Sequence, residues 1–126
     1  MIDKKTSIKR FEDLEVWQDA QALAVSVYKM TESFPDDEKF GITSQIKRSS
    51  SSVSANIAEG FGRKGNSEKI QFYRIAYGSL LETKNFVYLA QKLNYIDAKN
   101  TEQKISYIEH LQKQLNGIFK YLGNNV

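Results

Sequence analysis

The chain has 126 residues, of which 40% are apolar and 26% are charged, a balance typical of one soluble globular domain. It has no cysteine, which excludes a disulfide framework and a thiolate metal site. Its single histidine, His110, excludes a Ser-His-Asp triad and a histidine zinc cluster. No apolar run approaches the roughly 20 residues that span a bilayer, and the N-terminus lacks the apolar core of a signal peptide. We therefore expect a cytoplasmic protein that is not an enzyme and has no metal, cofactor or membrane contact.

The net charge of +3 hides an uneven distribution along the sequence. Residues 1–10 carry +3, residues 11–40 carry −6, residues 41–78 carry +4 and residues 79–126 carry +2. One interpretation is that the acidic and basic segments face each other, within one chain or between subunits. The other is that the basic segment binds a polyanion.

The polar residues at 1–10 show no periodicity and predict a basic, flexible tail. From Phe11 onward, apolar residues recur at steps of three and four, which predicts a first helix at about 13–33 with Asp13 as its N-cap. Pro35 ends this helix because proline disfavours the helical conformation at the preceding residue.

The second predicted helix, at about 42–60, has one stripe of large apolar residues and serine or alanine at most other positions. The four consecutive serines at 49–52 are poor helix formers, so this helix must be stabilised by packing. Small side chains let neighbouring backbones approach. The pattern therefore predicts an inner helix that packs on more than one side.

The third predicted helix, at about 67–93, has two apolar stripes, and the second one predicts a subunit contact. Gly78 lies mid-helix at a cost of about 1 kcal/mol relative to alanine, which predicts a close helix crossing. Asn100 and Gln103 resemble a capping box for a fourth helix at about 101–122. Short connections and the absence of a strand signal predict an all-α, antiparallel up-down-up-down four-helix bundle over residues 11–122, followed by a short tail at 123–126.

Residues 60–65 match the spacing G-x-G-x-x-G of a dinucleotide-binding loop. A helix precedes them where that fold needs a strand, so we reject this interpretation. A glycine loop that leads into a helix N-terminus and carries Arg63 and Lys64 can instead bind an anion. The alternative is a plain turn between helices with solvated charges.

Six basic side chains, from the second helix to the start of the third, are candidates for binding nucleic acid: Lys47, Arg48, Arg63, Lys64, Lys69 and Arg74. The residues near the glycine loop are expected to cluster at one end of the bundle, about 20 Å from Lys47 and Arg48. A monomer gives a discontinuous patch. A ring of subunits gives a broad basic surface that suits a phosphate backbone.

Four residues near the end of the second helix are expected to have structural roles: Asn56, Glu59, Gly60 and Gly62. Asn56 is expected to bond across helices, and Glu59 to pair with Arg63 or Arg74, because burial of such groups requires partners. Glu59 has no second carboxylate at a fixed spacing, which argues against a catalytic acid or base.

Five strings in the chain resemble the four-helix-bundle family encoded in intervening sequences of bacterial 23S ribosomal RNA genes. They are FEDLEVWQ from Phe11, FP from Phe34, TSQIKR from Thr43, SANIAEGFGR from Ser54 and IAYGSL from Ile75. The resemblance spans residues 11 to about 122. It implies a left-handed bundle that assembles as a homo-oligomeric ring, a pentamer, and it carries over no catalytic residue. Relatives include the accessory variability proteins of diversity-generating retroelements, basic barrels that work with a reverse transcriptase and its RNA.

Two functional hypotheses follow. The first is a non-enzymatic oligomeric adaptor that binds nucleic acid, RNA in particular, through the basic segment. The second is a protein-interaction scaffold whose helical ring binds a partner protein without nucleic-acid contact, so that the charges serve assembly. The first predicts that Lys47, Arg48, Arg63 and Lys64 face solvent on one surface. The second predicts that they pair with Glu12, Asp19 or the acidic residues at 36–38 across a subunit contact.

Overall fold

The computed structural model describes residues 8–123. Most of the predicted tails at 1–10 and 123–126, namely residues 1–7 and 124–126, lies outside the described residues. All regular structure within 8–123 is helical, which confirms the all-α prediction. The four long helices are α1 (Glu15–Thr31), α2 (Ile42–Phe61), α3 (Asn66–Lys92) and α4 (Ala98–Tyr121). None of them is long and apolar enough to cross a membrane.

Two short 3-10 turns, at Phe11–Asp13 and Asp36–Glu38, precede α1 and α2. The first replaces the predicted start of α1, so the prediction of Asp13 as N-cap is wrong. Leu14 holds the N-cap position and provides no side-chain hydrogen bond. Ile8, which was assigned to the tail, packs half-buried against the core.

The helices run antiparallel to their neighbours, as the short connections predict. Ser49 Oγ lies 2.8 Å from Thr83 Oγ1, and Gly60 lies against the ring of Tyr73, so residue numbers rise along α2 as they fall along α3. Each helix contacts the next in the chain, and α4 closes against α1. The result is the predicted up-down-up-down four-helix bundle.

Two of the serines at 49–52, Ser49 and Ser52, form hydrogen bonds across the α2–α3 contact, whereas the other two donate to backbone carbonyls of α2 itself. Buried Ser49 and Thr83 share a hydrogen bond, Thr83 also donates to Ser79 O at 2.8 Å, and Ser79 Oγ donates to Ser52 Oγ at 3.0 Å. Small hydroxyls thus satisfy one another where bulky apolar groups would hold the helices apart. Because these residues gain tertiary partners, their poor helix propensity is overcome, as predicted.

The close approach of α2 and α3 occurs at Gly60. A Cβ atom there would lie 2.8 Å from Cε1 of Tyr73 and 3.0 Å from Cβ of Phe72, both too near. Gly78 is exposed, and no atom lies within 4 Å of where its Cβ would be. The prediction of a close crossing at Gly78 is therefore wrong within the described chain.

The start of α4 also differs from its prediction. Asp97 is the N-cap, and its carboxylate accepts a hydrogen bond from Asn100 N at 2.8 Å. The Asn100–Gln103 capping box is wrong because the helix begins three residues earlier, at Ala98. Asp is as good an N-cap as Asn, so the sequence offered two starts of similar quality.

Candidate nucleic-acid interface

The turn between α2 and α3, residues 62–65, lies at one end of the bundle. It holds Arg63 and Lys64 directly and brings Lys69, one turn into α3, back towards the end of α2. Arg74 follows on an exposed face of α3. Four of the six predicted cations are thus near this end, and their local contacts differ sharply.

Lys69 completes the end of α2. Its ammonium donates to Phe61 O at 2.6 Å and to Gly60 O at 3.5 Å. Both carbonyls lie in the last turn of α2, where a cation opposes the negative end of the helix dipole, and Gly60 O also accepts a hydrogen bond from Arg63 N at 3.1 Å. Burial lowers the pKa of Lys69 from its ordinary value. The side chain is therefore committed to the fold.

Arg63 is also engaged within the chain. Its Nη2 donates to Glu59 Oε2 at 2.9 Å, which confirms the predicted Glu59–Arg63 pair and excludes Arg74 as the partner of Glu59 in this structure. The guanidinium lies 4.6 Å from the ring centroid of Phe72 on α3. Arg63 therefore ties the turn to both helices.

Lys47 and Arg48 lie far from this end, roughly 20 Å along α2 at 1.5 Å per residue. Arg48 forms an ion pair with Glu82 on α3. The Lys47 ammonium lies 5.0 Å from the ring centroid of Tyr28 on α1. The structure thus does not bring these two cations together with the group at the turn.

Lys64 and Arg74 differ from the other four. Both are exposed, and neither has a hydrogen bond or an ion pair with any residue of the described chain. Arg74 lines an open groove of about 610 Å³ between the start of α3 and the end of α4, with Asn66, Ser67, Ile70, Gln71, Leu122 and Gly123. Two cations at this end are therefore available to a ligand.

The N-terminus of α3 points to the same end. Gly65 holds the N-cap position, so no side chain caps the first N–H groups of this 27-residue helix. Such groups lack acceptors within a helix and carry the positive end of its dipole. Phosphate oxygens can accept hydrogen bonds from them while Lys64 neutralises charge nearby.

The residues near the end of α2 that were predicted to be structural differ in how closely their surroundings constrain them. Asn56 donates to Ser52 O and Ser52 Oγ, both at 2.9 Å, so its predicted bond across helices is wrong. Gly60 is required by the Tyr73 ring, as described. At Gly62 a Cβ would lie 3.6 Å from the nearest atom, Glu59 O, an ordinary contact.

Sequence reasoning missed a feature at the opposite end of the bundle. Phe40, between the Asp36–Glu38 turn and α2, is the most exposed large apolar side chain described, at 88%. The signal was present as an aromatic residue one position beyond an acidic run and the following Lys39, but the turn gives no periodic pattern. In residues 8–123, no three His, Cys, Asp or Glu side chains are placed to hold a metal ion.

Comparison with known proteins places this bundle among its relatives. The family model of the 23S rRNA-intervening sequence protein matches residues 12–117. The chain belongs to this family. The match confirms the resemblance that the sequence strings indicate, over nearly the same span.

A solved structure agrees with that assignment. This chain is similar to a protein of unknown function from the S23 ribosomal protein family of Bacteroides thetaiotaomicron VPI-5482, with a TM-score of 0.75 and 26% sequence identity. The likeness covers 83% of this chain and 98% of the other. No curated protein matches the sequence.

Proposed function

We propose that this protein is a non-enzymatic, homo-oligomeric adaptor that binds the phosphate backbone of RNA. One observation carries the proposal: Lys64 and Arg74 are exposed and unpaired within the described chain, Lys64 beside the uncapped N-terminus of α3 and Arg74 about two turns into that helix. The family name, which refers to an intervening sequence of 23S rRNA, favours RNA over DNA. Contacts of this kind fix position without reading sequence.

Electrostatics favour assembly as part of this function. Each neutralised phosphate contributes a salt slope of about −0.7 to −0.9, so two cations per chain bind weakly at physiological salt. A ring of five chains, as the resemblance implies, would offer about ten such cations and gain strongly in avidity. The face of α3 supports a subunit contact through half-exposed apolar side chains at Ile75, Leu81, Leu89 and Leu93.

RNA binding by charge-reversal variants tests the proposal. The double variant Lys64→Glu, Arg74→Glu should bind a 30-nucleotide single-stranded RNA at least tenfold more weakly than the unmodified protein at 50 mM salt. The matched control is Lys92→Glu, Lys99→Glu, which makes the same change in net charge at the opposite end of the bundle. Equal losses of RNA affinity in the two double variants would show that net charge alone determines binding. No RNA binding by the unmodified protein would refute the proposal. Sedimentation analysis of each variant controls for assembly.

A protein-interaction scaffold is the second candidate, and it needs none of the candidate cations to be free for a ligand. Arg48 pairs with Glu82 and Arg63 with Glu59 within the chain, so two of these cations serve the fold, although their partners are not the acidic residues at 12, 19 or 36–38 that this hypothesis predicts. The same experiment separates the two functions. A protein that assembles but has no RNA affinity at low salt is a scaffold.

A further inference from the structure

Phe40 stands out among the exposed apolar residues of the described chain. It is 88% exposed, whereas the next most exposed large apolar side chain, Val25, is 52% exposed. Single exposed apolar residues are common on protein surfaces and need no explanation alone. The case for Phe40 therefore depends on how its backbone is held and on what surrounds it.

The turn that carries Phe40 is held in place by Glu38. One carboxylate oxygen, Oε1, accepts a hydrogen bond from Ile42 N at 3.3 Å. The other, Oε2, accepts one from the hydroxyl of Tyr95 at 2.6 Å. The first bond ties the turn to the start of α2, and the second ties it to the connection between α3 and α4.

Further contacts fix the same turn. Gly41 N donates to Glu38 O at 2.9 Å, and the ring of Tyr95 packs on Phe34 with centroids 5.3 Å apart. A Cβ at Gly41 would lie 2.5 Å from Glu38 Oε1, so glycine leaves the room into which the carboxylate folds. Phe40 thus projects from an ordered tip, and its display costs little conformational entropy on binding.

The charges around Phe40 indicate what can bind there. Asp36 and Asp37 are exposed, and no residue of the described chain pairs with them. Lys39 lies against the Phe40 ring, 5.6 Å from its centroid, and is the one cation in the turn. Two free carboxylates repel a phosphate backbone and attract cationic side chains.

We propose that residues 36–40, the acidic tip, dock a partner protein that presents an apolar pocket bordered by Lys or Arg. Phe40 fills the pocket, and Asp36 and Asp37 meet the basic border. A buried aromatic anchor with a charged rim is the usual arrangement of an interface hot spot. The tip lies at the opposite end of α2 from Lys64, so an adaptor can hold protein at one end and RNA at the other. The idea that one end holds protein while the other holds RNA rests on the proposed adaptor function. Docking of a partner protein at the acidic tip does not depend on RNA binding.

Photo-crosslinking from position 40 tests the proposal. Benzoylphenylalanine replaces Phe40 in the full-length protein, in cells that naturally produce it, and the control carries it at Tyr121, an exposed aromatic position at the opposite end of the bundle. The expected result is one protein adduct specific to position 40, with the crosslinked peptide beside Lys or Arg residues. Adducts that match those of the control, or adducts solely between copies of this chain, would overturn the proposal.

Binding of the purified crosslinked protein completes the test. Phe40→Ser should weaken it about thirtyfold, as for a hot-spot aromatic residue, and Asp36→Asn with Asp37→Asn about tenfold. Val25→Ser is the matched control and should change binding less than twofold. A Phe40→Ser variant that binds within twofold of the unmodified protein would contradict the docking. Because Phe40 is exposed, the Phe40→Ser variant should keep its melting temperature and its RNA affinity. Failure of the docking proposal can therefore be distinguished from failure of the RNA-binding proposal.

Discussion

The two ends of α2 meet the same electrostatic requirement with opposite charges. At the N-terminus, Glu38 accepts a hydrogen bond from Ile42 N at 3.3 Å. At the C-terminus, Lys69 donates to Phe61 O at 2.6 Å. Each side chain satisfies backbone groups that a helix end leaves unpaired and opposes the local end of the helix dipole.

The comparison separates charges that build the fold from charges that remain for partners. At the acidic end, Glu38 is used internally, while Asp36 and Asp37 stay free of the described chain. At the basic end, Lys69 is used internally, while Lys64 stays free. A charged segment in a sequence therefore overstates the binding surface, and the residues next to the helix-capping side chain are the ones to test.

The largest effect is expected at Gly60, at the basic end. Gly60→Ala places a methyl group against Tyr73 and Phe72 and should lower the free energy of unfolding by about 2 to 3 kcal/mol, because both neighbours are held by packing. Gly62→Ala, two residues on, meets no close atom and should stay within about 0.5 kcal/mol. Urea denaturation measures both. Equal losses of stability in the two variants would show that the tight helix contact does not lie at Gly60.

Alkaline unfolding compares a tyrosine near each end. Burial raises the pKa of Tyr73 to about 12. The hydrogen bond to Glu38, followed by burial and the charges of Glu38 and Asp37, raises the pKa of Tyr95 to about 12. A raised folded-state pKa gives stability that is complete below the unfolded value near 10 and is lost between about pH 10 and 12.

The two tyrosines should differ when replaced by phenylalanine. A pKa shift of two units at the well-buried Tyr73 corresponds to about 2 to 3 kcal/mol. The unmodified protein should therefore lose about that much unfolding free energy between pH 9 and pH 12, and Tyr73→Phe should not show this loss. Tyr95 is partly exposed, and Tyr95→Phe should remove a smaller loss. Urea denaturation at both pH values gives the difference between each variant and the unmodified protein. If Tyr95→Phe removed more of the stability loss at high pH than Tyr73→Phe, Tyr73 would not be the more buried of the two hydroxyls.

The acidic end should depend on Gly41 through Glu38. Gly41→Ala pushes the Glu38 carboxylate away from Ile42 N and the Tyr95 hydroxyl, and should cost about 1 to 2 kcal/mol of stability. The same change made in a Glu38→Ala background should cost less than about 0.5 kcal/mol because the clash is gone. Additive effects in this double-mutant cycle would show that Gly41 acts by another route.

The smallest change in stability is expected for substitution of Lys69, and Lys64 is its matched comparison. Lys69→Met should lower the free energy of unfolding by about 1 kcal/mol because the Phe61 carbonyl loses its cation, and it should leave RNA affinity within twofold. Lys64→Met should do the reverse, with stability within about 0.5 kcal/mol and weaker RNA binding. Thermal melts and RNA titrations report the two properties. Loss of RNA affinity in both variants would break the distinction between structural and free cations.

Most of the fold could be predicted because helix periodicity is a local property of the sequence. All four helices begin and end within three residues of their predicted bounds, and Pro35 follows the first as expected. The caps could not be predicted as well, since Asp97 and Asn100 offered competing starts of similar energy. The close helix crossing was predicted at Gly78 and occurs at Gly60, because the packing between α2 and α3, which a local pattern does not reveal, decides which glycine is needed.

The candidate site was predictable in position but not in composition. The glycine loop correctly indicated an end of the bundle that gathers cations. The partners of Arg48 and Lys69 depend on the side-chain register between α2 and α3, which a single sequence does not reveal. The Asn56 bond stayed within its helix because Ser52 lies one turn earlier, a local competitor of the expected cross-helix bond.

The salt dependence of RNA binding tests the central claim most directly. Log Kd against log salt is measured for the unmodified protein and for Lys64→Gln, Arg74→Gln, with assembly state fixed by sedimentation. If these two cations hold the phosphates, the double variant should show a slope smaller in magnitude by about 1.4 to 1.8 per chain engaged. An unchanged slope would contradict the account, because the RNA would then be held by charges other than the two that the fold leaves free.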